Sequence, residues 1–354
     1  MMRTFDIVVI GAGPAGAVFA KSISKDYSVA CIDKKSDDES SFKKPCGGLL
    51  APDGQKALSE LGLNLPKSVL VDPQIFSVRT IDLDSGLTRH YQRMYINCDR
   101  HRFDRWLMSD IEENVTLFCG TVTKIEKQEK RYIITFVEDK KEQKLSAKYI
   151  VGADGAKSGV RKFLNPDYRC RQYLSIQQWF EDKHPKPFYS CIFDSDNTDC
   201  YSWAVSKDGL FIFGGAYPVK SGKEAFLSQK KKLCKQGFVF GEPIKIEACL
   251  VLRPQKSSDF YTGKENAFLI GEAAGLISPS SLEGISSAII SGKALAEAFN
   301  TKKNIRREYE NSIRPLKRKL VFKNFKCPFL YQPFLRSLVM KSGISSIKVC
   351  EKNR

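Results

Sequence analysis

The chain has 354 residues, 42% hydrophobic and 27% charged, enough apolar material for a packed core and too much for a disordered polypeptide. Its net charge is +17, yet residues 301–354 hold fifteen basic side chains against three acidic ones, so the body is near balance. No window approaches the roughly 18 uninterrupted apolar residues of a membrane-spanning helix, which argues against an integral helical membrane protein. Eleven cysteines are scattered without a CxxC pair, and only His90, His101 and His184 could join them. Neither a disulfide framework nor a zinc site is expected, and the thiols read as reduced and cytosolic.

Arg3 followed by apolar residues to Ala20 looks like a secretion signal until Asp6, Gly11, Gly13, Pro14 and Gly16 are weighed. A strand over 5–10 (FDIVVI), a glycine turn, a helix over 17–24 and a strand over 28–32 ending at Asp33 explain them all. Together they form one βαβ unit. A polar loop then leads to Pro45-Cys46-Gly47-Gly48, and a helical pattern through Ala57, Leu58 and Leu61 stops at Gly62. Residues 69–97 alternate as strands, and 99–113 take helical spacing with Phe103, Leu107 and Ile111 on one face. Strands return over 115–152, with a charged hairpin at 138–142. From 169 to 252 the pattern is strand-rich and aromatic, as in an antiparallel sheet. A buried strand at 267–270 precedes a helix over 284–299, and the basic end reads as helices broken at Pro315, Pro328 and Pro333.

The glycine turn carries the first chemistry. Gly11 permits a tight turn, Gly13 lets the backbone approach a diphosphate, and Gly16 lets helix and strand pack closely. Pro14 and Ala15 open a helix whose N-terminus offers unpaired N–H groups and the positive end of its dipole to phosphates. Asp33 is placed to accept hydrogen bonds from a ribose diol. Two more strands end on glycine turns. One is Tyr149-Ile150-Val151-Gly152-Ala153-Asp154-Gly155, followed by Ser158 and Arg161. The other is Leu269-Ile270-Gly271-Glu272-Ala273-Ala274-Gly275, followed by Pro279 and by Gly284-Ile285 at a helix start.

These places resemble the FAD-binding signatures of the flavoprotein family shared by aromatic hydroxylases and geranylgeranyl reductases. Arg100, Phe103, Asp104 and Leu107 also resemble that family's R-x-x-F-D-x-x-L helix. The resemblance implies an α/β fold with a Rossmann-like FAD-binding domain of the glutathione reductase/hydroxylase type over 1–70, 98–165 and 259–300. An inserted antiparallel substrate domain over 71–97 and 166–258 and a basic helical region over 301–354 would complete it. It further implies that Asp33 holds the adenosine ribose, while Gly13 to Gly16 and Arg100 lie along the diphosphate and flavin. Asp154 and Gly155 would sit by the dinucleotide, and Glu272 near the ribityl chain and diphosphate. The helix from Gly284-Ile285 would aim its N-terminus at the flavin pyrimidine end. Where this chain has Glu272 the family usually has Asp.

Pro45-Cys46-Gly47-Gly48 resembles the Cys-Gly-Gly motif of geranylgeranyl reductases, and Tyr201-Ser202-Trp203 with Gly214-Gly215 resembles their Tyr-x-Trp substrate-sheet motif. The Phe-Pro that completes the latter is replaced by Val205-Ser206. The whole chain looks most like the CbrA-like branch of that family. The implied activity is reduction of C=C bonds in an isoprenoid or similar apolar lipid, with Cys46, Gly47, Tyr201 and Trp203 walling the cavity. NADPH or a reduced electron-carrier protein would supply electrons. Two alternatives stay open, an aromatic monooxygenase and a non-enzymatic flavin-bearing stress or sensor protein. The basic, aromatic end suits an anionic membrane surface, which would make the protein cytoplasmic and peripheral to the membrane. No nucleic-acid recognition motif is present.

Overall fold

In the computed structural model, residues 2–34, 44–109, 111–183 and 188–349 are described. His184 and one of the eleven cysteines, Cys350, lie outside them. Ile7, Val8 and Val9 are fully buried in the strand Arg3–Ile10, which pairs in parallel with Val29–Asp33 on one side and Lys141–Gly152 on the other. Ala267–Leu269 and Val115–Cys119 extend the parallel array at its two ends. Strands covered on both faces lose polar alternation, which is why this run reads as continuously apolar. The charged hairpin joins Arg131–Glu138 to Lys141–Gly152, with Asp139 and Lys140 at φ 47° and 63°. Two residues with positive φ give the tight turn whose twist matches paired strands.

The second sheet runs in the order Lys245–Arg253, Arg171–Glu181, Leu210–Pro218, Ser202–Lys207, Phe188–Phe193, Ile75–Asp82, Leu87–Asn97. It is antiparallel except between Phe188–Phe193 and Ile75–Asp82, which pair in parallel. Those two strands come from distant parts of the chain and no hairpin ties them. Helix Gly222–Cys234 covers this sheet, seating Ala225, Phe226 and Leu233 against Ile176, Phe180, Phe213 and Tyr217.

Three expectations change in detail. The helix expected over 99–113 is Arg100–Ser109; Ser109 Oγ donates to Trp106 O at 3.0 Å, a local bond that competes with helix continuation, and Ile111 packs on the core from beyond it. Pro315 does not break the basic helix, which runs Ile305–Asn324 through it. Burial of Tyr309, Ile313, Leu316 and Leu320 on one face outweighs a backbone bond lost to proline. Nor is the C-terminal region wholly helical, because Ser346–Ile347 adds a short strand to Leu87–Asn97. Among the described residues, no helix is long and apolar enough to cross a membrane.

Candidate active site

Three parallel strands deliver their loops to one end of the first sheet, as open α/β sheets do around ligands. Gly11 follows Arg3–Ile10 with φ +99°, and a Cβ there would stand 2.6 Å from the Ala153 carbonyl of the neighbouring loop. A Cβ at Gly16 would come within 1.9 Å of the Gly11 carbonyl, so only glycine lets the helix Pro14–Ser22 sit this close to the turn. Gly13 caps that helix without a side-chain bond, and no acidic residue occupies the first turn. The positive helix end thus has no protein carboxylate of its own in that turn. Asp33 accepts a hydrogen bond from the Ala12 N–H. Asp154 Oδ2 accepts from Gly159 N (2.8 Å) and Val160 N (3.3 Å), while its buried Oδ1 has no hydrogen-bond partner. Burial pushes the Asp154 carboxyl up from its ordinary value. Arg100 is aimed by Asp104, whose Oδ1 accepts from its Nε at 2.7 Å, and Asp104 is itself buried.

These loops open on a cavity of about 640 Å³ whose far wall is the second sheet and the segment 44–51. Gly48 N donates to Cys46 Sγ at 3.4 Å, curling the Cys-Gly-Gly turn on itself. A Cβ at Gly47 would meet the Trp203 ring at 3.8 Å, so this turn lies beside the indole. Trp203 Nε1 is buried and unpaired. Behind the turn, Lys207 is buried and donates to Asn97 Oδ1 (2.6 Å), Cys98 O (2.7 Å) and Gly48 O (3.4 Å). Burial without a carboxylate at those distances pushes the ammonium down to about 8. Tyr201 stands 5.9 Å from Trp203 between ring centroids and donates its OH to Ser281 O; Tyr95 and Tyr189 make a second ring pair at 5.8 Å.

Every site residue expected from the sequence except Gly16 lines this cavity. Glu272 is engaged there in its own way. Its Oε2 pairs with Lys44 Nζ at 2.6 Å and its Oε1 accepts from Leu252 N at 3.0 Å. Burial opposes the charge on Lys44, and the Glu272 carboxylate more than offsets it, raising the ammonium's pKa. Lys44, Tyr95, Tyr189, Cys249 and Glu283 also line the cavity, and sequence reasoning did not single them out. A signal existed for Glu283, the carboxylate immediately before Gly284-Ile285. The tyrosines gave none, because long-range strand pairing brings them here. Among the described residues no group of three or more His, Cys, Asp or Glu side chains is placed to hold a metal ion.

A family model described as an FAD binding domain matches residues 4–232. The chain belongs to this FAD-binding family. It is 48% identical to Protein CbrA of Escherichia coli O157:H7, over 98% of this chain and 99% of that one. Protein CbrA of Shigella sonnei (strain Ss046) matches at the same identity over the same shares. Among solved structures it is similar to a geranylgeranyl bacteriochlorophyll reductase-like protein from Thermoplasma acidophilum, with TM-score 0.77 and 19% identity, covering 98% of this chain and 92% of that one. It is also similar to pqsL of Pseudomonas aeruginosa, described as a probable FAD-dependent monooxygenase, with TM-score 0.70 and 16% identity over 96% and 100%. At such identities these structures speak to the fold. The fold is that of FAD-dependent hydroxylases, and the family is one of FAD-dependent oxidoreductases.

The residues present fit that cofactor. The helix end at Gly13, free of a side-chain cap, and Arg100 suit a diphosphate. Asp33 suits a ribose, and the orphaned Oδ1 of Asp154 awaits a donor. Bound there, FAD would supply two-electron chemistry at its ring, and the protein would supply orientation and a dry wall.

Proposed function

We propose that the protein is an FAD-dependent reductase of carbon–carbon double bonds in an isoprenoid or similarly apolar lipid. One observation carries this reading: the wall facing the glycine turns is built of Tyr95, Tyr189, Tyr201 and Trp203 around the Cys46-Gly47 backbone. Such a surface takes an extended apolar chain and keeps water from it. Cys46 and Gly47 set the floor, Trp203 backs Gly47, and Tyr201 is pinned through its hydroxyl to the Ser281 carbonyl. NADPH or a reduced carrier protein would provide the electrons. The test is anaerobic. Chemically reduced protein mixed with a geranylgeranyl lipid is expected to regain its oxidised flavin spectrum and yield a saturated product. Reduced flavin that ignores the lipid would sink the reading. The monooxygenase likeness of pqsL supports an alternative, hydroxylation of an aromatic compound, marked by oxygen uptake coupled to NADPH oxidation.

We also propose that the protein lies at the cytoplasmic face of an anionic membrane. Phe322, Phe325, Phe329 and Phe334 are all more than half exposed, beside Arg314, Arg318 and Lys326. Phe322 and Phe325 also border a groove of about 330 Å³ with Arg318 and Val321. Aromatic rings flanked by cations partition into an anionic interface, at about 1 kcal/mol per engaged cation. Deleting the region is a poor test, since Tyr309, Ile313, Leu316 and Leu320 belong to the core. The variant Phe322→Ser/Phe325→Ser/Phe334→Ser is expected to retain its fold but stop co-sedimenting with phosphatidylglycerol vesicles. Equal sedimentation of variant and parent, or none by the parent, would remove the membrane from the account.

A further inference from the structure

We propose that Glu283 is the acid that delivers the proton in this reduction. The inference rests on the reductase reading, which names a hydride source and leaves the second hydrogen unassigned. Glu283 lines the cavity directly before Gly284, the cap of the helix Ile285–Asn300. Its backbone closes a small loop: Leu282 N donates to Ser278 O at 2.9 Å, and Ser278 N to Glu283 O at 3.0 Å. Inside that loop Leu282 is held at φ +51°, a conformation a leucine rarely takes and one that costs on the order of 1 kcal/mol or more. The loop therefore spends stability to set the direction of the next side chain. That side chain is a carboxyl among phenols. Tyr95 OH donates to Glu283 Oε1 at 3.3 Å, which leaves Oε2 to carry a proton.

The groups facing it come from several elements. Ser281 lies on its own loop, Tyr95 on Leu87–Asn97, Cys191 on Phe188–Phe193 and Tyr201 just before Ser202–Lys207. Lys323 reaches from Ile305–Asn324, paired with Asp53 of the helix Pro52–Ser59 at 3.8 Å. Burial favours the neutral acid, Lys323 and the bonds from Ser281 and Tyr95 oppose it, and Asp53 supports it; the balance raises the carboxyl above its ordinary value. A carboxyl so poised keeps its proton to higher pH than a free one, which suits a general acid.

The step balances. The O–H bond of Glu283 breaks as a C–H bond forms on one alkene carbon, and the reduced flavin's hydride completes the other. The alkene gains two electrons, the flavin loses two, and the carboxylate regains its proton from water.

Infrared titration and single-turnover kinetics on purified protein test the assignment. Wild type should show a protonated-carboxyl C=O band that titrates above the range of a free carboxyl and is missing from Glu283→Gln, and Tyr95→Phe should move its titration to higher pH. Glu283→Gln should slow lipid-driven flavin reoxidation by about a hundredfold or more while dithionite reduces its flavin normally. Wild type should also lose rate as pH rises through the band's titration, and the variant should not. An unchanged band, or lipid turnover in Glu283→Gln close to wild type, overturns the acid assignment and leaves the reductase reading standing. If wild type itself reduces no lipid, the reductase reading falls and takes the catalytic step with it. The band alone then still decides whether Glu283 holds the proton.

Discussion

Replacing Arg336 with methionine is expected to cost about 3–5 kcal/mol of folding free energy, the largest loss expected from any single side chain described above. Arg336 sits on the helix Pro333–Ser342 with 3% of its surface exposed, and its Nη2 reaches Asp82 Oδ1 at 2.8 Å and also Asp84. Its Nη1 donates to Leu330 O at 2.9 Å, and its guanidinium lies over the Phe193 ring. Asp82 has no exposed surface at all. Methionine fills much the same space and leaves that carboxylate buried without its countercharge, which is the expensive way to break an ion pair. Adding Asp82→Asn to the variant should recover a good part of the loss, because the orphaned charge is then gone. Urea unfolding of wild type, each single variant and the double variant measures both effects. A single-variant loss under about 1 kcal/mol would mean that water already reaches the pair.

The second large effect concerns cofactor retention. Gly13→Val is expected to purify without flavin, its affinity lowered at least about a hundredfold, or roughly 2.7 kcal/mol. The backbone at Gly13 has φ −69° and ψ −175°, an extended conformation that valine adopts readily, so the fold itself has no reason to fail. What changes is access. A branched side chain on the cap residue stands in front of the first N–H groups of Pro14–Ser22, where a diphosphate has to approach. Flavin absorbance per protein chain and thermal unfolding of the same sample separate the two. A folded variant with a full complement of FAD would show that the diphosphate lies elsewhere.

The parts of this molecule that could be read from sequence are those whose causes are local. Ile7 to Val9 announce a doubly covered strand, and Gly11 and Gly16 a turn pressed against a helix. Pro315 misled, because helix breaking is a local tendency of about 3 kcal/mol and the packed face of that helix outweighs it. The parallel pairing of Phe188–Phe193 with Ile75–Asp82 could not be read at all. Nothing near either strand specifies it, yet together with the hairpin to Leu87–Asn97 it sets Tyr189 beside Tyr95. That part of the cavity wall is thus a product of register between distant segments. Cys46, Tyr201 and Trp203 were found through motif resemblance, while Glu283 went unnoticed beside the glycine that follows it.

The lysine behind the Cys-Gly-Gly turn carries a consequence for how that turn behaves in alkali. As an ammonium, Lys207 has three hydrogens for three carbonyl oxygens, from Asn97, Cys98 and Gly48, and the match is complete. Once it loses a proton, at about 8, two hydrogens remain for three acceptors. The longest of the three contacts is the one to Gly48, so the turn is the partner released. The cavity wall at this turn is therefore stapled in neutral solution and unstapled above it. A loss of turnover near pH 8 that Glu283→Gln shares would then come from the scaffold, with the flavin still in place.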